Sequence, residues 1–181
     1  MKKLIFPMFL LLACGIFFPP TLVQAQEQAV QPVVNLETDI RNAVLLAPHY
    51  GVFDSLSFQL DSNNVTLLGQ VLLPITREEI ARRVAKLPGI GKVTDTIRVL
   101  PLSKTDDAIR LQVYRLVFNT SDLYRYALSP NPSIHIIVNG GHVTLEGVVN
   151  NEGDSRYAYM AARKVNGVFS VTNKLEIQST K

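Results

Sequence analysis

The chain has 181 residues, with 18 Lys and Arg against 15 Asp and Glu, three His and one Cys. Lys2 and Lys3 belong to an N-terminal leader, so without them the charges nearly balance, and the strongly basic surface that nucleic acid binding calls for is missing. Cys14 also lies in that leader, which leaves the rest of the chain without disulfides, thiol catalysis or cysteine-based metal sites.

Lys2 and Lys3 precede an apolar run from Leu4 to Phe18 that Pro19 and Pro20 close, which is the anatomy of a secretory signal peptide over residues 1–25. Val23-Gln24-Ala25 supplies small residues for cleavage before Gln26. Leu11-Leu12-Ala13-Cys14 offers a second reading, a lipobox in which Cys14 carries lipid and the product is a lipoprotein. The apolar core before Cys14 is short, and Gly15 to Phe18 are greasy where a lipoprotein tether is polar, so cleavage after Ala25 is favoured. The expected location is periplasmic or exported, with an anchor at Cys14 as the alternative. Residues 26–35 are rich in Gln and read as a flexible leader.

The first module is expected over residues 36–100. Ile40, Ala43, Val44 and Ala47 at helical spacing predict a helix over 38–47 that Pro48 ends. Leu56, Phe58 and Leu60 alternate with polar residues, Ser62-Asn63 turns the chain, and Val65 and Leu67 return the same face, which describes a hairpin with one buried side. Thr76 and Glu79 have the spacing of a capping box for a second helix buried along Ile80, Val84 and Leu87. Gly89 fits the left-handed position past its end, and Val93, Ile97 and Val99 make a third strand.

A short linker, residues 101–105, leads to a second module over 106–178 that repeats the first. Val65-Thr66-Leu67-Leu68-Gly69-Gln70-Val71 and Val143-Thr144-Leu145-Glu146-Gly147-Val148-Val149 correspond at an offset of 78, which holds without a gap to Val93-Thr94-Asp95 on Val171-Thr172-Asn173. Ile109, Val113 and Leu116 line its first helix, Asn139-Gly140-Gly141 turns its hairpin, and Asp154 takes the place of Thr76 as the cap of a helix lined by Ala158, Ala162 and Val165. Those small side chains imply a closer helix or a gap filled by neighbours such as Tyr157, Tyr159 or Met160. Between Asn119 and Pro132 the second module gains nine residues, where Leu123, Tyr126 and Ala127 suggest another helical turn. The expected fold is α+β: two αββαβ modules, each a three-stranded mixed sheet with two helices on one face and a parallel crossover between its last two strands.

The repeated strand, the Ala-rich second helix and the ending Val165-Asn166-Gly167-Val168-Phe169-Ser170-Val171-Thr172-Asn173-Lys174-Leu175 resemble the BON (bacterial OsmY and nodulation) domain family, here in tandem over about residues 37–178. The resemblance implies a non-enzymatic module of the cell envelope that binds phospholipid or another envelope partner, with no catalytic residues to transfer and no cofactor. Leu68, where the second copy has Glu146, and the insertion before Pro132 depart from the pattern.

The residues themselves show no enzyme. Carboxylates are scattered, Ser121 and Asp122 read as a helix start, and Asn139-Gly140-Gly141 lacks the spacing of a phosphate loop. The hairpin register puts His135 opposite Glu146 on the outer sheet face, a pair that falls short of the three or four ligands a metal needs. Gly69 and Gly147 read as strand ends. Arg110, Tyr114, Arg115, Phe118, Tyr124, Arg125 and Tyr126 mix guanidinium groups with aromatics, the composition of a surface that meets lipid headgroups, and are the candidate lipid or partner site. The expected partners are anionic phospholipid or another envelope component, with a protein or glycan adaptor that uses exposed sheet faces or edges, and self-association, as alternatives.

Overall fold

In a computed structural model, residues 35–119, 123–129 and 131–178 are described. The expectations for the signal peptide, for Cys14 and for residues 26–34 lie outside the described residues, as do those for Ser121 and Asp122.

The first module runs α1 (Leu36–Leu45), β1 (Ser55–Asp61), β2 (Asn64–Val71), α2 (Pro74–Ala85), β3 (Val93–Asp95) and β4 (Arg98–Val99). The second runs α3 (Lys104–Phe118), a 3-10 turn (Tyr124–Ala127), β5 (Ile134–Asn139), β6 (His142–Val149), α4 (Glu152–Arg163) and β7 (Ser170–Ile177). In each, an antiparallel hairpin is followed by a helix that returns the chain parallel to the second strand. The αββαβ plan is therefore present twice, with sheet orders β1-β2-β3 and β5-β6-β7, and β4 continuing the β3 position beside β2.

The alternation read from the sequence places the core. Leu67 and Leu145 are buried, as are Val65, Val71, Val143 and Val149 on the same strand faces, beneath Ile80 and Val84 in one module and Ala158 and Ala162 in the other. Each fully buried aliphatic side chain contributes about 1.5–3 kcal/mol relative to exposure. The small alanines of α4 leave room that Phe118, Leu123 and Tyr126 occupy, whereas Tyr157 and Met160 point to solvent. On α3 the buried stripe is Ile109, Val113 and Val117, a strict i, i+4 series, so Leu116 lies on the exposed side instead.

Helix starts depart from the sequence reading. α1 begins at Leu36 because Asn35 Oδ1 accepts the Thr38 amide at 3.2 Å. Pro74 opens α2 at a position where the missing N–H costs nothing, so Thr76 is inside the first turn, and its buried hydroxyl donates to the His49 carbonyl. Asn151 caps α4, accepting the Asp154 amide at 2.9 Å, which frees the Asp154 carboxylate for other partners. The third strand of the first module is broken where Asp95 Oδ1 accepts the Ile97 amide.

Gly69 and Gly147 lie inside β2 and β6, not at their ends, with φ of 124° and 116°. Here the preceding strand passes so close that a Cβ would strike the carbonyl oxygen of Ser55 or Ser133. A Gly147→Ala substitution combines a strained φ with that collision, so it should cost at least about 2 kcal/mol in urea unfolding; an unchanged midpoint would mean that the strand can move aside.

Candidate functional site

β5 is an edge strand, yet Ile134, Ile136, Ile137 and Val138 are all buried. In the hairpin register, the backbone groups of Ile136 and Val138 point away from β6, and a buried edge must find them partners. The first module supplies one for the Ile136 amide, which donates to the Val52 carbonyl at 2.8 Å. α3 supplies one for the Val138 carbonyl: Arg110, 1% exposed, donates to it from Nη2 at 2.6 Å and from Nη1 to Asp107.

The segment 50–55 that reaches β5 is itself pinned. The buried Asp54 carboxylate accepts the Gly51 amide at 2.9 Å and the Leu72 amide at 2.7 Å. Burial raises its pKa above the usual 3.8, more than these amides and Arg110 lower it. Around this loop Val52 and Phe53 pack on the core of the second module, Phe53 meets Tyr114 edge-on with centroids 6.2 Å apart, and Tyr114 leans on Phe118 at 4.9 Å. The Ser55 hydroxyl donates to Glu146, and Asn131 donates to the Leu45 carbonyl.

The outer face of the second sheet is thereby used within the protein. His135 does lie opposite Glu146, but its Nδ1 faces the Gly51 carbonyl at 3.3 Å and its ring packs on Tyr50 at 5.6 Å, while Glu146 takes Ser55 and Lys174. Burial drives the Tyr50 phenol up to about 12. A groove remains between this face and the first module, with Arg41 and Ser57 on one side and Lys174 and Glu176 on the other.

The candidate residues separate into two layers. Arg110, Phe118 and Tyr126 are buried and Tyr114 is half-buried. The Tyr126 hydroxyl accepts the Asn150 amide at 2.7 Å and donates to Asp154 at 2.5 Å, tying the inserted segment to the start of α4. Arg115, Tyr124 and Arg125 are exposed, with Arg125 also paired to Asp154, a bond that raises its pKa after the larger effect of Tyr126. Val52, which carries the contact between modules, and Asp54, which pins its loop, have no sequence signal: both lie in a loop without periodicity, and the Ile136 and Leu72 amides they bind are more than 15 residues away.

Two small α+β units are fused through a strand edge into a tandem of repeated modules. The chain belongs to the BON domain family, which it matches over residues 32–101 and 105–179. Membership makes it an envelope-related binding module, in a family that is generally non-catalytic and occurs in periplasmic and envelope proteins. No curated protein matches the chain. Among solved structures, the C-terminal domain of CdsD, a structural protein of the type III secretion system of Chlamydia trachomatis, is 15% identical, with 81% of this chain and 98% of that chain covered and a TM-score of 0.29. A second CdsD structure is 14% identical over 82% of this chain and 94% of that one, also with a TM-score of 0.29. No helix among the described residues is long and apolar enough to cross a membrane.

Tyr126→Phe leaves the Asn150 amide unmatched and should cost about 1–3 kcal/mol by urea unfolding; a change below about 0.5 kcal/mol would show that water replaces the hydroxyl. His135 has its pKa lowered from 6.5, chiefly by burial, against the opposing pulls of the Gly51 and Asp54 backbone and of Glu146. The unfolded chain then binds a proton on this ring more readily than the folded one, so stability falls as pH drops below about 6.5, until the folded pKa is passed. Asp54 acts in the opposite sense and lower, in the window above 3.8. Calorimetry between about pH 7 and 5 should therefore find a smaller drop in Tm for His135→Gln than for the natural protein; parallel curves would show that the ring titrates as it does in water.

Proposed function

We propose that this protein associates with anionic phospholipid at an envelope surface, without catalysis, through the outer side of α3 and the segment that follows it. The observation that carries the reading is the exposure of Tyr124 (59%) and Leu128 (65%) on the inserted segment that packs against α3, whose outer side carries Leu111 and Arg115. Arg125 adds a second cation beside Tyr124, and Arg110, Tyr114, Phe118 and Tyr126 support this surface from below. Aromatic and basic groups together suit the headgroup layer, where each cation is worth about 1 kcal/mol and the rings enter the interface.

A protein or glycan adaptor that works through sheet edges has less support. The β5 edge is closed by Val52 and Arg110, and on β7 Asn173 Oδ1 already accepts the Leu175 amide at 3.2 Å. In this reading the protein is periplasmic or exported, or held to a membrane through Cys14.

The test is co-sedimentation of the purified mature protein with phosphatidylcholine vesicles containing or lacking phosphatidylglycerol. Binding should require the anionic lipid, weaken with salt, and drop by about tenfold in Arg115→Glu/Tyr124→Ser. Equal binding to both kinds of vesicle, or to neither, would contradict the reading.

A further inference from the structure

α2 and α4 hold the same place in the two modules, and the 78-residue correspondence lets their solvent faces be compared position by position. On α2 that face is ion-paired: Glu79 lies 3.2 Å from Arg83, 3.9 Å from Arg82 and 3.6 Å from His49. On α4, Tyr157 stands where α2 has Glu79, and Met160 where it has Arg82. Tyr157 is 54% exposed and Met160 49%. Arg156, Arg163 and Lys164 flank them, all exposed. The exposed carboxylate of this helix is Glu152 at its first position, bonded to Arg156 at 2.9 Å, whereas Asp154 is buried beneath Arg125 and Tyr126.

The loop after α4 adds an exposed aromatic. The Phe169 ring lies over Gly141, where a Cβ would be driven into it. The first module closes the same end with the roles reversed: Asn63 stands at the position of Gly141, Gly91 at that of Phe169, and the Asn63 side chain fills the space over Gly91. A polar side chain thus completes this corner of the fold, and the exposed Phe169 is not needed to do so.

We propose that the outer face of α4 is a membrane-contact face for anionic lipid, with Phe169 an exposed aromatic on the loop beyond the end of that helix. This rests on the lipid reading given above and extends it to a second helix. Charge selects the occupant: with Arg156 and Glu152 offsetting each other, Arg163 and Lys164 leave this face net positive around exposed Tyr and Met, the pattern of a helix that lies in the interface with its apolar groups among the headgroups. α3 and α4 also pack side by side on one face of the sheet, so Leu111 and Arg115 belong to the same outer layer as Tyr157 and Met160. Large exposed apolar side chains gathered on one such layer mark a contact surface rather than a solvated one.

Three paired substitutions in the mature protein separate the possibilities in the same vesicle assay: Arg163→Glu/Lys164→Glu and Tyr157→Ser/Met160→Ser on α4, and Arg82→Glu/Arg83→Glu on α2. All six positions lie on the helix surface, and thermal melts will show that each variant is folded. Each α4 variant should lose at least about tenfold in binding to phosphatidylglycerol vesicles, and the α2 variant less than about twofold. If the natural protein binds anionic vesicles and both α4 variants bind as well, this face is not the contact and the lipid reading stands without it. If the natural protein binds no vesicle, the lipid reading itself fails and this inference goes with it. If the charge reversal abolishes binding, the Ser variant retains it and heparin displaces the lipid, the face recognises a soluble polyanion, and the membrane assignment is overturned.

Discussion

The outward edge of β5 is the constraint on which the rest of the structure depends. A strand edge that faces water can leave its amides and carbonyls to solvent, but here the side chains of Ile134, Ile136, Ile137 and Val138 are buried, and unpaired backbone groups in such a place would cost about 1–3 kcal/mol each. Val52 from the first module removes that cost for the Ile136 amide, and Arg110 from α3 removes it for the Val138 carbonyl. The contact fuses the two modules, fixes where α3 crosses the edge, and commits the outer face of the second sheet to Tyr50, Gly51 and Ser55. What the second module can offer to a partner is then chiefly its helical layer.

The two modules share a plan but have diverged where they face the world. The alanines of α4 are accommodated because the nine-residue gain brings Leu123 and Tyr126 into the core, and the Tyr126 hydroxyl, between Asp154 and the Asn150 amide, secures that gain. In exchange, the large side chains of α4, Tyr157 and Met160, stand outside. Packing inside and surface character outside are thus linked through one change of helix volume.

Periodic features were legible in the amino-acid sequence. Strand alternation set the Leu67 and Leu145 faces and the His135 to Glu146 register, and the constant offset revealed the duplication. Helix starts were less so, because Thr76 and Asp154 have capping chemistry but Pro74 and Asn151 begin the helices one turn earlier. The candidate site was legible only as a composition. Arg110 looks like a surface cation until the bare β5 edge is known, and Tyr114 pairs with Phe53, a contact between modules that leaves no mark in local spacing.

The most direct measurement of this account is amide hydrogen exchange at Ile136 in the intact protein. With its N–H held by the Val52 carbonyl in a buried seam, Ile136 should exchange only when the two modules come apart, as slowly as amides inside the second sheet. The Phe53→Ala variant should speed Ile136 by about tenfold or more while leaving amides at the centre of β2 much less affected. Exchange of Ile136 at the rate of an open strand edge, with β6 still protected, would mean that the modules are not joined there.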